Sequence, residues 1–216
     1  MKKYTVRVTV FLAIFMIFIA HSKVSAEDIQ LSQVKEFTGM PLMEALKLRT
    51  SSRKFSLKKI PPEILSELMW AASGINRPGD SRRTAPTAMN MQELEIYAAM
   101  ESGLYRYIPE KHMLKEEHNE DIRKYCGSQD FVASAPLNLI YVADLEKMSK
   151  IKTEEEKILW ASADSGFIGQ NVYLYCASRG LSAVFRAYID KEKLAEKMKL
   201  PSSKKIIFSQ TVGYPG

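Results

Sequence analysis

Hydrophobic and polar residues along the chain switch between a helical and an extended period, which predicts helices interleaved with strands. Apolar residues with helical spacing begin after Pro61-Pro62 and stop at Gly74, which predicts a helix over residues 62–73. A longer helical pattern runs from about Thr153 to Gly180. Because the two faces of this long helix are nearly equally apolar, we expect it to be central and buried.

Extended patterns occupy most of the remaining chain. Residues 94–100 alternate as in a half-buried strand, and the apolar run at 138–143 is typical of a buried strand. A turn at Pro109-Glu110 after a short strand at 104–108 predicts a hairpin arm. Further elements are expected at 42–48 (helix), 181–185 (extended), 191–198 (helix) and 206–212 (strand). Together they predict an α+β domain around a mostly antiparallel sheet.

The first 26 residues have the pattern of a secretory signal peptide rather than of a folded element. A basic start is followed by an apolar run at 8–20 and by Val24-Ser25-Ala26, a small-x-small cleavage site. A retained membrane anchor is the alternative, but thirteen apolar residues are few for a bilayer span. We therefore expect cleavage near Ala26 and export of a mature chain, 27–216, to the periplasm or the medium, with no stable membrane anchor.

Removal of that segment changes the charge of the chain. The full chain has 31 basic and 25 acidic residues, a formal net charge of +6, and four of the basic residues lie in 1–26. The mature chain would carry 27 basic and 25 acidic residues, a balance that does not favour nucleic acid as a partner. Its length, 190 residues, suits a single domain.

Cysteine and histidine usage gives no indication of a metal site. Export permits a disulfide between Cys126 and Cys176. However, Cys176 falls in an apolar helical pattern, where a buried free thiol is the more common state. His112 and His118 lie in a charged, loop-like region without metal-ligand spacing, so we expect no metal.

A basic, hydroxyl-bearing turn follows the apolar pattern at 42–48. Arg49 and Arg53 lie four residues apart, with Ser51 between them. Two guanidinium groups and a hydroxyl suit a dianionic phosphate, because the planar fork of arginine binds phosphate oxygens bidentately. The alternative interpretation is a set of solvated charges at a helix end, favoured by the helix dipole.

Two further stretches carry candidate binding residues. The turn-rich segment 83–92 combines Pro86 and small side chains with the amides of Asn90 and Gln92. Amide side chains offer both a donor and an acceptor to the polar edge of a flat ring; an ordinary loop stabilised by Thr and Asn side chains is the alternative. Residues 180–188 have the pattern of a helix end, a short strand and a loop, where sites often lie, although a plain connection would look the same.

In this order and at this spacing, the three stretches resemble the FMN-dependent nitroreductase superfamily over residues 40–216. The matching positions are Arg49, Ser51, Arg53 and Phe55, followed by 85–92, 163–166, 170–171, 180–181 and 212–215. Residues 103–107 with His112 resemble the branch that contains the azoline dehydrogenases of peptide-toxin maturation. The resemblance implies a nitroreductase-like fold and an intertwined homodimer with two flavins at its interface.

The resemblance also implies the residues of an FMN site. It assigns the FMN phosphate to Arg49 and Arg53, with Ser51 hydrogen-bonded nearby and Thr50 at the polar edge of the flavin. Four residues contributed by the partner subunit would line the isoalloxazine ring: Pro86, Thr87, Ala88 and Asn90.

The loop after 181–185 completes the implied site. Backbone N–H groups of Ala187 and Tyr188 would face flavin N5 and O4, where a fixed dipole stabilises the negative charge of reduced flavin. Arg186 would lie beside the ring and contact an anionic substrate, or else be an ordinary surface arginine. Superfamily members often end with a basic residue that completes the phosphate site. This chain stops at Gly216, so we expect Arg49 and Arg53 to suffice, or Arg83 or Arg186 to substitute.

The expected activity is that of an FMN-dependent oxidoreductase. It would pass two electrons by ping-pong hydride transfer through flavin N5, to or from a small nitro- or quinone-like substrate, without a catalytic side chain. NAD(P)H, the usual donor in the superfamily, is scarce outside the cytoplasm, so export argues for another physiological donor. Two alternatives stay open: a flavin dehydrogenase acting on a peptide or heterocycle, and a non-catalytic FMN-binding protein.

Overall fold

The structure is a computed structural model that describes residues 27–34 and 39–216. The predicted signal peptide at 1–26 lies outside the described residues. Within the described ranges, no helix combines the length and the apolar character needed to cross a membrane. The same ranges contain no cluster of three or more His, Cys, Asp or Glu side chains suited to a metal ion.

Helices and strands interleave along the described chain as the hydrophobic pattern predicts. The helices are α1 (Leu42–Leu48), α2 (Pro62–Ser73), α3 (Asp130–Ser134), α4 (Glu154–Ser178) and α5 (Lys191–Lys197). The strands are β1 (Ile29–Gln30), β2 (Ile75–Arg77), β3 (Arg82–Arg83), β4 (Leu94–Met100), β5 (Gly103–Ile108), β6 (Met113–His118), β7 (Leu137–Asp144), β8 (Ser182–Arg186) and β9 (Lys204–Gly213).

Seven strands form one sheet in the order β1-β6-β5-β4-β7-β9-β8, and β2 pairs with β3 in a separate hairpin. Every strand pair described is antiparallel. The α+β prediction is therefore confirmed. Strand β7 lies inside the sheet, between β4 and β9, and nearly all of its residues are buried, which explains the continuous apolar run at 138–143.

Helix boundaries follow local signals that the sequence carries. Helix α2 begins at the Pro61-Pro62 pair and ends at Gly74, as predicted. Helix α4 begins after Thr153, whose side chain accepts a hydrogen bond from the backbone N–H of Glu156. Elements β1, β2, β3 and α3 were not predicted, because two to five residues are too few to show a period. Cys126 and Cys176 are free and buried.

The prediction that α4 is central and buried holds for only one of its faces in the single chain. One face packs on the sheet through residues such as Ala161, Ile168 and Val172. The opposite face exposes Leu159 by 68% and Phe167 by 48%. The second apolar face predicted from the sequence exists: α1 and α2 contact α4, but Leu159, Trp160 and Phe167 in its first half stay exposed.

Close packing of α4 on the sheet depends on Gly169. A Cβ added there would lie 2.5 Å from the Phe185 ring, which stacks on Tyr141 at 5.6 Å between centroids and therefore cannot move freely. We expect Gly169→Ala to lower the free energy of unfolding by about 1–3 kcal/mol, because overpacking shifts the helix or the ring. Urea unfolding followed by circular dichroism measures this change.

Gly166 on the same helix provides the matched control, because a Cβ added there meets no atom of the described residues within 4 Å. Gly166→Ala should leave the stability unchanged or raise it by up to about 1 kcal/mol through helix propensity. Equal effects of the two substitutions would contradict the packing argument.

Candidate cofactor site

The first predicted segment, residues 49–55, runs with the next residue, Ser56, along the edge of the sheet formed by β8 and the end of the chain. The backbone N–H of Ser52 donates to the carbonyl of Ala183 at 3.0 Å. Further along, the N–H of Ser56 donates to the carbonyl of Tyr214, also at 3.0 Å. These bonds hold the basic turn in a fixed place beside β8.

Tyr173 of α4 connects this segment to β8. Its hydroxyl lies 2.8 Å from Ser51 Oγ and accepts a hydrogen bond from the Phe185 N–H at 2.7 Å. The Arg49 guanidinium lies over the Tyr173 ring, 5.4 Å from its centroid. Sequence reasoning missed Tyr173, because a tyrosine in a helix that is apolar on both faces carries no distinguishing signal.

Both predicted phosphate ligands are available for binding. Arg49 is half-buried and Arg53 exposed, and neither forms an ion pair with another described residue. Thr50 is exposed beside them. Two guanidiniums without a carboxylate, on a segment that also presents Ser51, form a donor set that fits a dianionic phosphate.

The second predicted segment lies against the first half of α4. The Ala88 N–H donates to Asp164 Oδ2 at 2.8 Å, and Thr87 Oγ1 accepts a hydrogen bond from the Gln92 N–H at 3.0 Å. Asn90 Oδ1 accepts from Gln92 Nε2 at 3.2 Å. Pro86 and Asn90 are exposed, and Thr87 and Ala88 are half-buried.

The backbone of this loop is strained. Met89, Asn90 and Gln92 have φ values of 51°, 54° and 50°, in the left-handed region that non-glycine residues avoid. Each such residue costs on the order of 1–3 kcal/mol, and strain of this kind is concentrated at ligand sites. The loop is therefore a site candidate on geometric grounds that the sequence did not contain.

Ala187 and Tyr188 follow β8 directly and are exposed. Their backbone N–H groups make no hydrogen bond with the other described residues. They are thus free to donate to a ligand, and β8 is the strand against which the basic segment is held.

In the described residues, the second segment is attached to a different part of α4 from the first. Its anchor Asp164 precedes Tyr173 by nine residues on α4, a rise of about 13 Å. No hydrogen bond joins residues 49–53 to 85–92 in the part of the chain that the structure describes. This separation fits a site completed by the 85–92 segment of a second subunit.

The substrate contact expected at Arg186 is corrected by the structure. Its side chain is 5% exposed, and its Nη atoms donate to the Cys126 carbonyl at 3.0 Å, to Asn138 Oδ1 at 3.2 Å and to Thr211 Oγ1 at 2.9 Å. Alternation along β8 turns this side chain inward, so Arg186 is neither a surface residue nor available to a phosphate or substrate. Burial lowers its pKa to about 10.

Arg83, the other expected substitute at the phosphate, has a partner of its own. Its guanidinium donates to Glu110 at 3.1 Å, which ties the β5–β6 turn to the start of the second segment. In the same hairpin, His112 is hydrogen-bonded through Nδ1 to Tyr107 at 2.8 Å and through Nε2 to Ser66 at 2.9 Å. These hydrogen bonds hold the hairpin arm against α2, so His112 has a structural role.

Known proteins resemble the chain in sequence and in fold. The sequence model of the nitroreductase family matches residues 46–214. The chain belongs to the nitroreductase family. A solved nitroreductase-family structure from Ralstonia eutropha JMP134 is 40% identical, with a TM-score of 0.85 over 89% of this chain and 91% of that one.

Two further proteins are similar to this nitroreductase, one in sequence and one in fold. A nitroreductase-like protein of Methanocaldococcus jannaschii is 32% identical over 178 residues, 76% of this chain and 86% of its own length. The NADPH:FMN oxidoreductase of Vibrio harveyi, solved with NAD+, shares the fold at 22% identity, with a TM-score of 0.58 over 81% of this chain and 68% of that one. The protein is an FMN-dependent oxidoreductase of nitroreductase type.

Proposed function

We propose that this nitroreductase binds FMN between two subunits and transfers two electrons, in ping-pong fashion, between a donor and a small nitro- or quinone-like acceptor. The observation that carries the proposal is the pair Arg49 and Arg53. Both guanidiniums lack an acidic partner among the described residues and lie beside Ser51 at a fixed sheet edge. Uncompensated arginines in such a position fit an anionic ligand.

Each segment has a distinct task in this proposal. Arg49, Ser51 and Arg53 hold the phosphate, and Thr50 lies at the polar edge of the ring. The free N–H groups of Ala187 and Tyr188 orient the ring and favour negative charge on it. Bound FMN supplies the hydride chemistry itself, so the chain needs no acid–base dyad.

The exposed apolar side chains of α1 and α4, two helices that pack against each other, support the proposed dimer. The apolar side chains exposed on these helices are Leu42, Met43, Leu46, Leu48, Leu159, Trp160 and Phe167. Exposed apolar side chains in such number on two packed helices are typical of a subunit interface. In the dimer, Pro86, Thr87, Ala88 and Asn90 would face the flavin held by the other subunit.

Export of the mature chain, with cleavage near Ala26, is part of the same proposal and rests on the sequence pattern of 1–26 alone. An exported enzyme would be separated from cytoplasmic NAD(P)H, so we infer a different physiological donor. Fractionation of cells that express the full chain tests export. Low-micromolar affinity for NADH with fast turnover would overturn the inference about the donor.

The visible absorption spectrum of the purified protein tests the cofactor assignment. We expect the peaks of oxidised flavin, and FMN as the compound released on denaturation. A colourless protein that does not bind added FMN would overturn it. Anaerobic reduction with NADH, NADPH and dithionite then separates an enzyme from a flavin carrier, which would accept electrons sluggishly from every biological donor. Tight binding of a peptide to the oxidised protein would favour the peptide dehydrogenase instead.

A further inference from the structure

The strained loop at 86–92 requires an anchor, because left-handed backbone at Met89, Asn90 and Gln92 persists only where the surroundings fix it. Two of its attachments converge on one residue. Asp164 accepts a hydrogen bond from the Ala88 N–H in the middle of the loop. Glu93, the first residue after the loop, lies next to the same carboxylate.

Glu93 and Asp164 are an unusual pair, because both are acidic and both are buried. Glu93 is 0% exposed and Asp164 is 3% exposed. Neither carboxylate oxygen of Glu93 has a hydrogen-bond partner of good geometry among the described residues. Two ionised carboxylates cannot lie side by side in such a place without a large penalty, so one of them must carry a proton.

The charges around the pair indicate which carboxyl holds the proton. Asp164 comes from α4 and already accepts the Ala88 N–H, whereas neither carboxylate oxygen of Glu93 has a hydrogen-bond partner among the described residues. Lys147, in the turn after β7, is the basic group whose charge acts on Glu93. Its ammonium donates to the Gln92 carbonyl at 3.3 Å, and its side chain is exposed, so it compensates Glu93 only weakly. The proton therefore belongs on Glu93.

We propose that Glu93 and Asp164 are positioning residues that share one proton and thereby fix the 86–92 loop in the shape that faces the flavin. A protonated Glu93 donates to the free oxygen of Asp164, and Asp164 in turn holds the Ala88 N–H. This inference rests on the proposed FMN site. Neither residue touches the cofactor; both act through Ala88.

A pH dependence follows from this arrangement. Burial, together with the charge of Asp164, raises the pKa of Glu93 from 4.5 to about 7. Because the folded protein holds this proton more tightly than the unfolded chain, the stabilising contribution is complete below pH 4.5. It is lost progressively as the pH rises to about 7. Above that pH two carboxylates repel each other, and the loop loses its anchor.

Glu93→Gln is the test, because an amide has the same shape, stays neutral and can donate to Asp164 at every pH. Between pH 6 and pH 8.5 the Kd for FMN, measured by quenching of flavin fluorescence, should rise about tenfold more in the wild type than in the variant. The FMN phosphate also titrates near pH 6, but equally in both proteins, so their ratio isolates Glu93. Exposed Glu146, replaced by Gln, is the matched control and should follow the wild type.

Two measurements on the flavin-free protein accompany the titration. The thermal unfolding midpoint of the wild type should fall relative to Glu93→Gln from pH 4.5 to 7 and then stay level. The infrared band of a protonated carboxylic acid should be present at pH 6 and absent in the variant. An unfolded Glu93→Gln protein at pH 6 would overturn the proposal, because glutamine reproduces the neutral side chain.

The remaining outcomes separate this inference from the proposed function. If the wild type binds FMN and both proteins show the same pH profile, the proposal fails and the FMN assignment stands. If only the unfolding midpoint responds, the pair has a structural role and positions nothing. If the wild type binds no FMN at any pH, the proposed function fails, and the positioning role fails with it.

Discussion

Replacing Phe167 with Asp is expected to leave the protein monomeric and unable to retain FMN. Phe167 lies on the exposed face of the first half of α4 and is 48% exposed in the single chain. An interface that buries this ring would have to bury an unpaired carboxylate instead. We expect the dimer to weaken by about 3 kcal/mol or more, roughly a hundredfold in Kd.

Light scattering across a range of protein concentrations measures the oligomeric state, and the flavin content per chain is determined on the same samples. Leu57→Asp is the control, because Leu57 is 76% exposed but lies outside α1 and α4. That variant should remain a flavin-bound dimer. A Phe167→Asp protein that is folded, monomeric and still loaded with FMN would contradict a site shared between subunits.

Replacing both Arg49 and Arg53 with Ala is expected to weaken FMN binding by a factor of roughly 10² to 10⁴. Each charge-assisted contact to the phosphate is worth about 1.5–3 kcal/mol. The loss of both contacts at full strength gives the upper end of this range of affinity loss. The fold should survive, because neither guanidinium has an ion pair to lose among the described residues. Arg53→Ala alone should cost roughly tenfold to a hundredfold in affinity.

Comparison of FMN with riboflavin shows whether the loss concerns the phosphate. The wild type should prefer FMN strongly, whereas the double variant should bind the two flavins almost equally. Lys54→Ala removes a neighbouring exposed charge and should keep the preference. Arg53→Lys should lie between wild type and Arg53→Ala, since a point charge replaces a bidentate fork. An unchanged Kd in the double variant would place the phosphate elsewhere.

Most of the fold could be predicted because its signals are local. The proline pair before α2, Gly74 after it, and the apolar run of β7 each act through neighbouring residues. The basic segment could be predicted for the same reason, since Arg49, Ser51 and Arg53 lie within five residues. Elements with no internal period, such as the β2–β3 hairpin, gave no such signal.

The features that could not be predicted depend on contacts between residues far apart in the sequence. The sheet register brings Asn138 and Thr211 to Arg186. Arg186 was expected to contact substrate, but these contacts make it a buried structural residue. Packing of α4 places the Tyr173 hydroxyl against Ser51, although 122 residues separate them.

The sequence by itself determined the α+β class, the order of most elements and the three segments that we propose form the site. Each depends on residue types repeated or grouped over a short stretch. Only the tertiary structure decided which side chains in those segments are free, which are buried, and that Glu93 lies against Asp164. Burial and pairing depend on strand register and helix packing, which bring together residues that no local pattern relates.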